Sequence, residues 1–146
     1  MHIRRIEAGI LNAGSDFDHS TTPYDVGLGM FVDQEKGDFI GQTALKNAPK
    51  EARLIGVLCA AEPHIGAAIM VDGQTVGKVT AGAMSPYLKQ GIGIALMLES
   101  GYLPNTLVSV GCIDGKLHKG QLAELPLYDK AGAIQRGKLI EVPARD

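Results

Sequence analysis

Asp16 and Asp18 stand two residues apart, and carboxylates that close can divide acid and base work between them or hold a cation if further oxygen donors join. Calcium needs more oxygen ligands than two and no EF-hand loop pattern surrounds the pair, so the residues read as an Asx-rich loop that caps a turn. Arg5 and Glu7 are also two apart: they diverge on a helix and share a side in an extended segment. The favoured reading is that they anchor the leading segment against the barrel by charge-assisted hydrogen bonds, the alternative being that they meet a ligand. The four histidines, His2, His19, His64 and His118, never fall at a spacing that puts two on one helical face, so no metal site is expected. Ser85 precedes Pro86 without the strand-to-helix elbow that exposes a nucleophile, and reads as a turn former. Gly73, Gly77 and Gly82 match neither a dinucleotide fingerprint nor a phosphate loop. Near the C-terminus, Tyr128 introduces the turn-like run from Asp129 to Gly137, which carries Arg136. No catalytic set emerges from residue types and spacing alone.

The elements that must position these residues follow from pattern. From His2 to Leu11, Ile3, Ile6, Ile10 and Leu11 fall on one face of a predicted short helix, with Arg4, Arg5 and Glu7 nearer the other face. Gly14 and the polar cluster up to Pro23 form a loop, and 41–47 is a second short helix closed by Pro49. After Lys50 the period changes. The runs 54–59, 68–71, 76–80, 92–98, 106–113 and 121–125 have strand length, with a further strand-like piece from Leu139. Asp72-Gly73 is the strongest hairpin signal in the chain.

Strands at such intervals predict a mainly β fold, an antiparallel Greek-key barrel or sandwich. The expected division is 1–48 as a short α/β remnant of a preceding domain and 49–146 as the barrel domain. The opening, amphipathic from Ile3 with no cap or polar lead-in, reads as the middle of a larger fold.

Composition narrows the classes. With 146 residues, 45% hydrophobic, the chain can bury a sizeable core, and nineteen glycines beside three Phe and no Trp favour turns and close backbone approaches over a helical bundle. A net charge of -2 with interspersed signs gives no electrostatic footprint for nucleic acid. Nothing apolar runs long enough to cross a bilayer and no signal peptide is read, so the expected location is the cytoplasm, away from membranes. Cys59 and Cys112, in apolar runs without CxxC spacing, are expected as buried free thiols in a reducing compartment.

The ordered series Arg5-Ile6-Glu7-Ala8-Gly9, GSDFD at 14–18, Thr21-Thr22-Pro23, DVGLG at 25–29, DFIGQTAL at 38–45, GKVTAG at 77–82 with Ser85-Pro86, and Leu125-Pro126-Leu127-Tyr128-Asp129 resembles the second half of the glycine-cleavage T-protein family, aminomethyltransferases and their demethylase relatives. The resemblance covers nearly the whole chain. It implies a C-terminal barrel preceded by a remnant of the folate-binding domain, and a role as one wall of the channel that holds tetrahydrofolate. In that family an aminomethyl group passes from a lipoyl carrier, the H-protein, to tetrahydrofolate with release of ammonia. The resemblance marks Arg5, Tyr128 and Arg136 as candidate folate contacts and assigns no catalytic residue, because the family's acidic residues belong to halves that this sequence does not contain. An arginine that the family places four residues before its LRLEAG-like arginine falls here on Met1, and Ala81 stands where a serine is usual in the VTSG-like turn. The implied partner is therefore an N-terminal half, as part of the enzyme or as a separate subunit, with the H-protein beyond it. The alternative is a stand-alone β-barrel binding or scaffold module without activity, which would pair with another subunit or with copies of itself.

Overall fold

A computed structural model describes residues 2–134 and 136–138. The elements run α1 (His2–Glu7), a 3-10 turn (Gly29–Phe31), α2 (Gln42–Asn47), then β1 (Leu54–Cys59), β2 (Ala68–Val71), β3 (Gln74–Ser85), β4 (Gln90–Met97), β5 (Leu107–Gly111) and β6 (Leu117–Ala123). The strands close into an antiparallel barrel in the order β1-β4-β3-β2-β5-β6. Three hairpin-linked strands, β2 to β4, followed in space by β1, make the Greek key that the strand spacing predicts. The predicted strand from Leu139 lies outside the described residues.

The β2–β3 turn forms at Asp72-Gly73, both with positive φ (50° and 80°), the conformation whose twist suits a two-residue hairpin. β3 is longer than the predicted 76–80 and continues to Ser85, because a bulge at Thr80 resets its register on β4 from Val79↔Ala95 to Ala81↔Ile94. β6 starts at Leu117, earlier than the predicted 121, since its first half is polar and carries no hydrophobic signal.

Two cores result. The lumen holds Val57, Cys59, Ile69, Val79, Ala95, Met97, Val108, Val110, Cys112 and Leu122. The opposite face of the β1–β4–β3 wall forms a second core, where Ala81, Ala83, Ile92 and Ile94 meet Ile6 of α1 and Leu127. The two alanines of β3 leave room for the helix to lie on the sheet. β4 is buried on both faces, which explains its near-continuous apolar run.

α1 is shorter than the predicted 2–11 helix. Gly9 takes φ 67°, with Gly9 N donating to Ile6 O at 3.1 Å and Ile10 N to Arg5 O at 2.7 Å. This paired C-terminal cap stops the helix and turns Ile10 out to solvent, although its spacing suits the buried face. α2 forms as expected, with Ala48 extended ahead of Pro49. Among the described residues, no strand occurs before Leu54, and no helix is long and apolar enough to cross a membrane.

Candidate functional site

The leading segment is fastened to the barrel by two buried carboxylates. Asp16 accepts from Arg5 Nη1 at 2.7 Å and from its own loop at Asn12 N, 2.8 Å, while its other oxygen accepts from Thr80 Oγ1 at 2.7 Å. Thr80 is the bulged residue of β3, so the same irregularity that resets the register frees a hydroxyl for the loop. Glu7 accepts from Ser85 Oγ at 2.6 Å, and that oxygen in turn accepts from Leu88 N at 3.0 Å. Glu7 therefore anchors the segment to the barrel directly, as the anchoring reading expects, whereas Arg5 reaches the barrel only through Asp16 and its bond to Thr80. The Arg5 guanidinium, 17% exposed, also donates to Ile10 O at 3.2 Å, which ties it to the cap of α1.

Asp16 and Asp18 do not work as a pair. Asp16 faces inward, whereas exposed Asp18 accepts from Ser20 N and Ser20 Oγ, and these bonds hold its carboxyl below the ordinary range. Among the described residues, no group of His, Cys, Asp and Glu is arranged to hold a metal.

Tyr128 and Arg136 come together. Both line an open hollow of about 360 Å³ whose other walls include Ala8 and Ile10 from the end of α1, Pro126, and the turn 129–132. Tyr128 N donates to Glu7 O at 2.9 Å, which docks this segment on α1. Its ring stacks on Tyr87, 5.2 Å between centroids and 12° between planes, and Tyr87 accepts from Arg4 Nη2 at 3.4 Å. Partial desolvation raises the Tyr128 phenol above its ordinary value, with Tyr87, Asp129 and Glu7 adding to the effect, so the hydroxyl stays a donor at neutral pH. The Asp129 carboxylate accepts from Ala133 N at 2.7 Å and Ile134 N at 3.0 Å and fixes the turn that carries exposed Arg136. Arg5 stands behind the hollow, joined to it through Ile10 O.

Tyr87 and Ser85 had no signal in the sequence beyond a Ser-Pro turn, because their partners lie far along the chain. Glu7 links both halves of the stack: its backbone docks Tyr128 and its side chain sets the turn that bears Tyr87. The resulting surface offers a flat aromatic face, a phenol donor and a free-standing guanidinium beside an apolar floor. Its chemistry suits an aromatic, anionic molecule, and among the described residues it contains no acid–base or nucleophile pair.

The glycine cleavage T-protein C-terminal barrel domain matches residues 53–129. The chain belongs to this family. The aminomethyltransferase of Thermosipho melanesiensis is 37% identical over 129 residues, covering 85% of this chain and 35% of that protein. That of Streptomyces avermitilis is 36% identical over 136 residues, with 85% and 36% covered. The crystal structure of glycine cleavage system aminomethyltransferase T from Bartonella henselae superimposes with a TM-score of 0.77 at 25% identity, over 88% of this chain and 38% of the other. The T-protein likeness thus reaches beyond the barrel into the leading segment, and the chain spans about a third of the length of the curated relatives it matches.

Proposed function

We propose that this T-protein barrel acts as the C-terminal part of a tetrahydrofolate-dependent aminomethyltransferase, or of a related one-carbon demethylase, and forms one wall of the folate channel. The observation that carries the reading is the meeting of Tyr128 and Arg136 in one hollow beside the end of α1.

The residues fit a folate. Its glutamate tail is an anion that the exposed Arg136 guanidinium can pair with, and its ring system suits the aromatic face of Tyr128, whose phenol can donate to a ring heteroatom. Arg5 serves by holding the floor, because its guanidinium is already engaged by Asp16 and Ile10 O. Tetrahydrofolate, when bound, supplies the nitrogens that accept the one-carbon unit. This chain's own residues bind and orient it and shield one side from water. Groups for proton movement at the reacting carbon would come from an N-terminal half, in the same polypeptide or a separate subunit, and that half would also receive the lipoyl carrier.

Exposed apolar side chains support such a partner. Leu28, just before the 3-10 turn, and Met30 and Phe31 within it, with Ile10 and Ile40, are all exposed on the leading segment. Isothermal titration with a tetrahydrofolate analogue tests the reading, on the chain alone and mixed with the part of the Thermosipho melanesiensis protein that it does not cover. Binding that is weak alone and strong in the mixture is expected. Binding by neither sinks the enzyme reading and leaves the alternative, a barrel module that only scaffolds.

A further inference from the structure

Cys59 ends β1 and Cys112 follows β5, and β6 runs between these strands in the barrel. Their sulfurs nevertheless lie 3.7 Å apart, across 53 residues of sequence. Gly120 explains the approach: it pairs with Cys59 on β6, and a Cβ there would come within 2.9 Å of Cys59 Cβ and 3.1 Å of Val110 Cγ2. A missing side chain on the intervening strand lets the two thiols meet over it. Both also point toward one acceptor, Ala61 O, at 2.7 Å from Cys59 Sγ and 3.6 Å from Cys112 Sγ. Both are free and buried in the lumen core.

We propose that Cys59 and Cys112 are an oxidisable pair that forms a reversible intrachain disulfide, enclosing β2 to β5 in a covalent loop. Sulfurs in contact need to close by less than about 2 Å to reach a bond of about 2.05 Å, a step within side-chain rotation. The oxidant is a peroxide, small enough to reach a buried sulfur. Burial, with Cys59 beside it, pushes the Cys112 thiol up to about 12. Burial raises Cys59 as well, with the neighbouring Cys112 S–H opposing that rise. The Cys59 thiolate attacks the peroxide O–O bond and becomes a sulfenic acid, and the hydroxide released takes up the proton that Cys59 lost, giving one water. Cys112 then attacks the sulfenic sulfur; the S–S bond forms, the S–O bond breaks, and the departing hydroxide leaves as water with the Cys112 proton. The thiols lose two electrons and two protons, and the peroxide is reduced to two waters.

The test is intact-mass analysis of the full chain after hydrogen peroxide, with alkylation of remaining thiols in denaturant and peptide mapping. The expected result is a monomer lighter by two hydrogens, with no alkylated cysteine, a Cys59–Cys112 crosslinked peptide, and both thiols restored by dithiothreitol. Its melting temperature should rise by on the order of 5 °C. Cys59→Ser and Cys112→Ser should each abolish the two-hydrogen loss. Alkylation of both thiols after peroxide, separate oxidation of each to sulfinic acid, or crosslinks only between copies would overturn the proposal, and mapping of the unsubstituted chain decides even if a variant fails to fold.

Discussion

Asp16 and Thr80 are joined by a 2.7 Å hydrogen bond across 64 residues of sequence, and this buried contact fastens the leading loop to the wall of the barrel. The carboxylate has three donors, Arg5, Asn12 N and Thr80, so its own charge is not left unpaired. Asp16→Asn removes the charge and forces an amide donor against the Thr80 or Arg5 side. We expect a loss of roughly 2–4 kcal/mol, read from urea midpoints. Thr80→Val should cost about 1–2 kcal/mol, and the double variant less than the sum, since both changes break the same link.

Asp25 supplies the more buried part of the acid-side pH dependence, beside exposed Asp18 and Asp114, which are also held below the ordinary range. Burial raises the Asp25 carboxyl, but the Arg53 Nε–H at 2.7 Å and the Thr22 N–H and hydroxyl more than offset that and leave it below the ordinary 3.8. A folded value below the unfolded one means the unfolded chain takes up the proton first as pH falls. The stabilisation is fully present above 3.8 and fades as pH drops toward the folded value. Asp25→Asn should lower stability at neutral pH by about 1–2 kcal/mol and flatten the acid side of the stability curve. A variant whose acid limb keeps the original slope would show that other carboxylates carry it.

In the hollow, Arg136→Gln removes an exposed cation without touching the core. Affinity for the folate analogue, measured in the mixture with an N-terminal half, should fall about 5–30-fold at unchanged melting temperature. Tyr128→Phe should cost less, about 2–10-fold, because the ring face and its stack on Tyr87 survive. Equal affinity in both variants would move the ligand elsewhere.

Gly91 lies where the chain folds back on itself: a Cβ there would meet Ala61 O at 1.9 Å. Because the obstacle is backbone, Gly91→Ala should destabilise by roughly 2–4 kcal/mol or prevent folding, whereas Gly101→Ala, with open space around it, pays only for its positive φ of 96° and should cost about 1 kcal/mol. Thermal unfolding of the two proteins side by side checks the ranking.

Phe31, 78% exposed, and Ile40 contribute little to the core of the described chain. Phe31→Ser together with Ile40→Ser should change stability by less than about 0.5 kcal/mol yet weaken association with an N-terminal half by tenfold or more. Sedimentation or titration of the variant against that half measures it; undiminished association would place the interface on another face.

Much of the barrel was legible because local rules agreed with the final fold: Asp72-Gly73 demanded a tight hairpin, Pro49 ended α2, and apolar runs of strand length marked β1, β2 and β4. The misreadings have local causes. Ile10 has helical spacing, but Gly9 caps the helix before that spacing can act, and the Thr80 bulge hides the length of β3. The site was half legible. The family resemblance marked Tyr128 and Arg136 as candidates, whereas Tyr87 and Ser85 gain meaning only from partners at Tyr128 and Glu7, which no short window can contain.

The walls of the hollow come from Ala8 and Ile10 on one side and from Pro126, Tyr128, the turn 129–132 and Arg136 on the other, with all six strands between them in sequence. During synthesis, then, the site forms only after all six strands have emerged, when Tyr128 can settle on Glu7. A ligand there cannot guide the early steps of folding. It acts as a clasp on the folded barrel, slowing the moment at which the two segments part and the barrel begins to open.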